Sequence, residues 1–217
     1  MPFAHALLIA LLLCAVLRLA GAAEVPAAPT LEQVMRLLSE SAGVRARYRE
    51  QKHLQLLARP LESEGMLFFD PPDHLARQVE TPGPAQLVVR GDEVLMRDAT
   101  GQEQLRLDRS EVARGLVESV AVVLRGDLAL LQSRYRVAFR SDGSAWAMEL
   151  TPRSRALRRL VRSLAIQGVG CELRRVEIRE EGGDRTVTEF TEVETGLRFT
   201  PEQREEIFLL DIPPLAR

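Results

Sequence analysis

Residues 134–150 read RYRVAFRSDGSAWAMEL, the cleanest alternation in the chain. Tyr135, Val137 and Phe139 fall on one side, with Arg134, Arg136 and Arg140 on the other. After a turn at Gly143, Trp146, Met148 and Leu150 answer against Ala147, Glu149 and Thr151. A period of two with apolar and charged residues segregated is an antiparallel hairpin, one face buried and one wet.

The same period recurs on either side. Val44, Ala46 and Tyr48 oppose Arg45, Arg47 and Arg49, and Leu54 and Leu56 resume the even-numbered face, so one long strand is predicted through Leu56. Arg59-Pro60 turns the chain, and Glu62 to Asp70 returns with Met66 and Phe68 assigned to the apolar side. Short strands follow over 74–81, 86–90, 93–97 and 102–107, and later over 164–167, 171–180 and 185–190. Pro82-Gly83-Pro84, Gly91-Asp92, Thr100-Gly101 and Glu181-Gly182-Gly183-Asp184 supply turns between them. Residues 151–163 form a basic connection, read as a short helix or a crossing loop.

Helices are few. Thr30 with Gln33 is a capping box ahead of the stripe Leu31, Val34, Met35 and Leu38, and Thr200-Pro201-Glu202-Gln203 repeats the signal near the end. Between the strand sets, Val112, Leu116, Val120, Val123 and Leu124 line one side of a helix ending at Gly126, with a second short helix over 127–132. About ten or eleven strands in one meander must curl or close. The expected fold is therefore mainly β with a few helices: an unclosed antiparallel β-barrel whose concave apolar face is covered by helices.

That face supplies the candidate binding residues. Tyr48, Leu54, Leu56, Met66, Phe68, Leu87, Val89, Val94, Met96, Val137, Phe139, Trp146, Met148 and Leu150 are expected to line a cavity, under lid residues Val112, Leu116 and Val120. Glu50 and Lys52 interrupt the apolar face of the first strand. Either they point inward as a polar handle able to hold a lipid head or ester, or a bulge turns them outward or they lie at the rim.

Composition narrows the function classes. The 217 residues carry 29 basic and 31 acidic side chains and are 46% hydrophobic, which excludes a disordered tail and a strongly basic nucleic-acid binder. Basic residues are Arg apart from Lys52, a skew that reads as coding bias. Residues 6–17 form an apolar run too short to span a bilayer, followed by Gly21 and Ala23 at the positions where a signal peptidase requires small residues. The segment is read as a secretory signal cleaved before Glu24, with an uncleaved anchor as the alternative. Lipid attachment at Cys14 is disfavoured because Leu13 precedes it. Removing 23 residues leaves 194, with a net charge of −3 and Cys171 as the remaining thiol. Cys171 is read as a small buried apolar residue. The organisation is then signal 1–23, linker 24–30, one domain over 31–210 and a tail 211–217.

Catalytic signatures are missing: no Gly-x-Ser-x-Gly elbow, Walker loop, His-Glu-x-x-His or paired Cys-x-x-Cys occurs. His53 and His74 lie in strand contexts, Asp70 and Asp73 flank a Pro-Pro turn, and Arg158-Arg159 reads as a solvated basic face. An esterase would need a nucleophile with a base, so no enzyme, cofactor or metal is expected.

The order of these weak motifs resembles the LolA family of periplasmic lipoprotein carriers, and its LolA-like relatives most closely. Residues 44–52 (VRARYREQK), 59–69 (RPLESEGMLFF), 72–75 (PDHL), 87–92 (LVVRGD), 146–152 (WAMELTP) and 176–186 carry it. The resemblance implies a half-barrel that shields acylated lipoprotein or lipid cargo between an inner-membrane exporter and an outer-membrane acceptor, as a periplasmic monomer without nucleic acid. Where that family tends to show Arg-Pro after the second strand, this chain has Asp70-Pro71. That Arg is thought to help close the lid, so a free acyl chain, glycolipid or polyene lipid becomes comparable as cargo. A lipid-sensing or regulatory module of the same fold is the alternative.

Overall fold

The computed structural model describes residues 28–107 and 120–209. The expected signal and the lid positions Val112 and Leu116 lie outside them. Eleven strands form a single antiparallel sheet: β1 (Gly43–His53), β2 (Leu61–Asp70), β3 (His74–Thr81), β4 (Ala85–Arg90), β5 (Glu93–Asp98), β6 (Gly101–Arg106), β7 (Tyr135–Asp142), β8 (Ala145–Pro152), β9 (Val161–Val169), β10 (Glu172–Glu180) and β11 (Arg185–Leu197). Their order is β6-β5-β4-β3-β2-β1-β11-β10-β9-β8-β7. The sheet is open, because β6 and β7 are its two edges. The strand count matches expectation, but the path does not. Two meanders, β1–β6 and β7–β11, are joined by the pairing of the first strand with the last.

One side of this sheet, the inner face, is covered by helices. Helix α1 (Leu31–Glu40) starts at the expected capping box, with Thr30 and Gln33 each accepting the other's backbone N–H. It buries Val34, Met35 and Leu38. Residues 120–124 are helical, and α2 (Leu128–Arg134) follows, capped by the Asp127 carboxylate on the Leu130 N–H. Gly126 adopts φ 64°, and a Cβ there would lie 2.1 Å from the Met35 carbonyl oxygen, so α1 and the end of the 120–124 helix pack directly together. The core runs from these helices through Tyr48 and Phe69 to Leu150, Leu164 and Ile166. The basic connection contains the short helix α3 (Arg155–Arg158) and seats Leu157 in that core.

Register corrects two assignments. Tyr48 lies opposite Gly65 and Ala46 opposite Leu67, so even-numbered residues of β1 share a face with odd-numbered residues of β2. Met66 and Phe68 therefore point to the outer face, away from Tyr48. There Phe68, Ala76, Val88 and Leu95 are covered by Phe199 and by Phe208 of helix α4 (Pro201–Phe208). β1 also ends at His53, before Leu54 and Leu56. The Gln55 N–H donates to Asp184 in the β10–β11 turn at 2.9 Å, so residues 54–60 form a connection and Leu56 is 96% exposed.

Asp70, read as turn chemistry, has a different role. It is buried on the outer face and accepts from Arg204 Nε at 2.6 Å, tying α4 to the end of β2. Elsewhere the outer face is an Arg/Glu lattice, with Arg45 on Glu194, Arg47 on Glu80 and Arg175 on Glu189. Within it, burial pushes the Glu177 carboxyl up, but hydrogen bonds from Arg175 and Arg179 outweigh this and hold it below the ordinary 4.5. A carboxyl with a lowered folded-state pKa stabilises the fold above its unfolded value and loses that contribution as pH falls through the folded one. Glu177→Gln is thus expected to lower the urea midpoint at neutral pH and to converge with the parent in acid; a constant offset across that range would refute it.

A second test concerns β2. A Cβ on Gly65 would lie 1.9 Å from the Gln78 carbonyl oxygen, at a register shift between β2 and β3. Gly65→Ala should cost about 1–3 kcal/mol by overpacking. Gly83→Ala, where nothing lies within 4 Å, should leave the urea midpoint unchanged. Equal midpoints for the two variants would contradict the close approach of β3.

Candidate functional site

The registers place Tyr48, Leu87, Val89, Val94, Met96, Val137, Phe139, Trp146, Met148 and Leu150 on the inner face together. They do not share one environment. Tyr48, Trp146, Met148 and Leu150 are buried in the filled core beneath the helices, and Val120 packs against the same cluster. Trp146 also has a structural partner: its Nε1–H donates to the Gly170 carbonyl at 2.9 Å, and its ring occupies the space beside Gly168. Val89 and Val94 form a small separate cluster with Leu107.

Open space lies at the other wing of the sheet, over β3–β6. A cavity of about 690 Å³ there is lined by Leu87 and Met96 from the expected set. It is also lined by Arg77, Val79 and Ala85, which sequence reasoning did not single out. These residues share the inner face because Arg77 lies opposite Leu87, Val79 opposite Ala85, and Leu87 opposite Met96. Asp98, Thr100 and Glu103 close the far end. A second cavity of about 250 Å³, lined by Phe69, Leu75, Val89 and Arg125 among others, lies where this wing meets helical residue Ala121. The signal for Arg77 was present: Leu75, Arg77 and Val79 alternate along β3, so an arginine interrupts an apolar face there as Glu50 does on β1.

The two interruptions meet. Glu50 points inward, with its side chain 19% exposed, and accepts from both terminal nitrogens of Arg77, at 3.1 and 2.9 Å. Ser63 Oγ accepts from Arg77 Nη2 at 3.0 Å, and Thr188 Oγ1 donates to Glu50 at 3.0 Å. The guanidinium carbon lies 4.4 Å from the Tyr48 ring centroid. Burial pushes the Arg77 pKa down, and the Glu50 carboxylate more than restores it, so the side chain stays charged. Lys52 shares this face by register, half-buried near the strand's end opposite Leu61 and Thr186.

The remaining candidates are apart from this site. His53 is half-buried at the end of β1, and His74 contacts Asp73 at 3.2 Å and packs edge-on against Phe208. Cys171 is half-buried in the β9–β10 turn beside Thr195, not part of the core. Arg158 is exposed and donates to the Arg153 carbonyl. Among the described residues no three His, Cys, Asp or Glu side chains group as a metal site, and no helix is long and apolar enough to cross a membrane.

Solved structures similar to this chain include the following three. The LolA superfamily protein NE2245 from Nitrosomonas europaea is 12% identical over 83% of this chain and 96% of its own, with a TM-score of 0.46. MucB of Pseudomonas aeruginosa, solved with MucA, is 11% identical over 80% of this chain and 58% of its own, TM-score 0.47. The Mycobacterium tuberculosis lipoprotein LppX is 10% identical over 75% and 92%, TM-score 0.40. No curated protein sequence matches. A family model described as outer membrane lipoprotein carrier protein LolA-like matches residues 22–195, which contain all eleven strands but the end of β11, and the chain therefore belongs to the LolA-like family.

Proposed function

We propose that this protein is a periplasmic carrier that shields the acyl chains of a lipoprotein or lipid between the inner and outer membranes. The observation that carries the reading is the cavity over β3–β6, whose floor of Val79, Ala85, Leu87 and Met96 is apolar and half-buried in a member of a lipoprotein-carrier family. Its volume of about 690 Å³ is within the range of sites that enclose a small apolar ligand.

Energetics favour a reversible role. Burying an acyl chain of about 14–16 carbons offers roughly 10 kcal/mol gross, at about 0.8 kcal/mol per methylene. Ordering that chain and desolvating its polar end offset much of this, which leaves a release that an outer-membrane acceptor can complete. Asp70, at the position where the family tends to show Arg, faces outward and engages Arg204, so opening of the inner face is left to other groups.

Protein purified from its own host is expected to carry lipid detectable by native mass spectrometry. Leu87→Glu, which puts a carboxylate on the cavity floor, should abolish binding of a fluorescent acyl probe while circular dichroism shows an intact sheet. A protein that purifies empty and ignores acyl probes would overturn the carrier reading.

A further inference from the structure

The Glu50–Arg77 pair is poorly explained by stability. An ion pair on an otherwise apolar face loses hydration that its mutual attraction barely recovers, and apolar residues of similar size often serve the fold as well or better. Strand pairing around it is complete through the backbone, from Glu50 opposite Ser63 to Leu67 opposite Arg77. Yet the pair is closely built. Glu50 receives three hydrogen bonds, Arg77 is braced against Ser63, and its plane rests on Tyr48. Both N–H groups of Arg77 Nη2 are taken by Glu50 and Ser63, whereas Nη1 gives one N–H to Glu50 and keeps its second, on a side chain that lines the cavity and is 29% exposed.

Charge sets the kind of group that fits there. Glu50 cancels the Arg77 charge at hydrogen-bond distance, and the remaining charged side chains lining the cavity are Arg97, Asp98 and Glu103. With Glu50 counted, acidic groups outnumber basic ones, so the site has no net attraction for a carboxylate or phosphate. It still presents the second N–H of Arg77 Nη1 in a half-buried setting, where an uncharged acceptor gains a hydrogen bond without meeting the repulsion of Glu50.

Resting on the carrier reading above, we infer that Arg77, braced by Glu50, anchors the ester or amide carbonyl at the head of an acyl chain whose tail lies along Val79, Leu87 and Met96. Acyl esters and amides are the ligand class, and free fatty acids are rejected.

The test is displacement of a fluorescent acyl probe by methyl palmitate, N-methyl palmitamide, palmitate and hexadecane. The parent protein should bind the ester and amide about tenfold more tightly than the carboxylate and the hydrocarbon, the fold-change of one hydrogen bond made in a half-buried site. Glu50→Gln/Arg77→Met, which removes both charges together and leaves neither orphaned, should bind all four alike at the hydrocarbon's level, with an unchanged circular dichroism spectrum. Glu50→Gln alone leaves the Arg77 charge without its counter-charge at hydrogen-bond distance and should raise palmitate above the ester. A diacylglycerol and a synthetic diacylated lipopeptide, run in parallel, separate a free glycerolipid from a lipid-modified protein as the source of the carbonyl. A ranking that survives the double variant, or palmitate binding best to the parent protein, overturns the anchor alone. Failure of every competitor, hexadecane included, overturns the carrier reading with it.

Discussion

Strands β1 and β11 run antiparallel from Gly43 opposite Leu197 to His53 opposite Arg185, and this seam makes one sheet of two meanders. Each meander pairs locally through short turns; the seam joins residues separated by most of the chain. It places Tyr48 beside Phe190 and so connects the apolar faces of both halves into one core. The seam is also where the sheet bends. The register slips between Gly43 and Arg45 and again between Arg45 and Arg47, with Glu192 at φ 50° and Gly196 at φ 78° on the β11 side. Extra residues on one strand increase local twist and curvature, which lets a sheet this wide wrap towards its helices.

The two faces use different chemistry. On the outside, the Arg/Glu ladders across β1, β2, β10 and β11 are solvent-screened and individually worth little. Their effect is on choice of register, because a slip by one residue sends that charge inward. On the inside, among the described residues, the helices cover the seam and the β7–β10 half, and open volume lies over β3–β6 and where that wing meets Phe69 and Ala121. The aromatic side chains divide between the faces: Tyr48, Phe69, Tyr135, Trp146 and Phe190 belong to the main core, Phe68, Phe199 and Phe208 cover the outer face of β2–β5, and the cavity of about 690 Å³ is lined by aliphatic and polar side chains.

Much of this was legible because alternation is a local property. The 134–150 hairpin, both capping boxes and most of the inner-face residues follow from periods of two and three to four. Relative parity between neighbouring strands is different: it depends on where the connecting turn ends. The seven residues 54–60 fixed it in a way that no residue of β1 or β2 announced, and Met66 and Phe68 changed sides as a result. Asp70 likewise finds its partner 134 residues away, on a helix whose docking the local sequence does not state. Arg77 is the opposite case. Its place between Leu75 and Val79 was readable, but an arginine in a strand suggests solvent until its partner Glu50 is seen across β2.

The outermost strand of the cavity side, β6, is exposed along its whole length and, among the described residues, has a single hydrogen-bonded neighbour, β5. Elements held along one side open with far less free energy than a core strand, because few buried contacts are lost. The cavity wall at β6 thus rests on fewer buried contacts than the filled half of the sheet. Loss of pairing at that edge opens the cavity wall while leaving the β1–β11 seam intact.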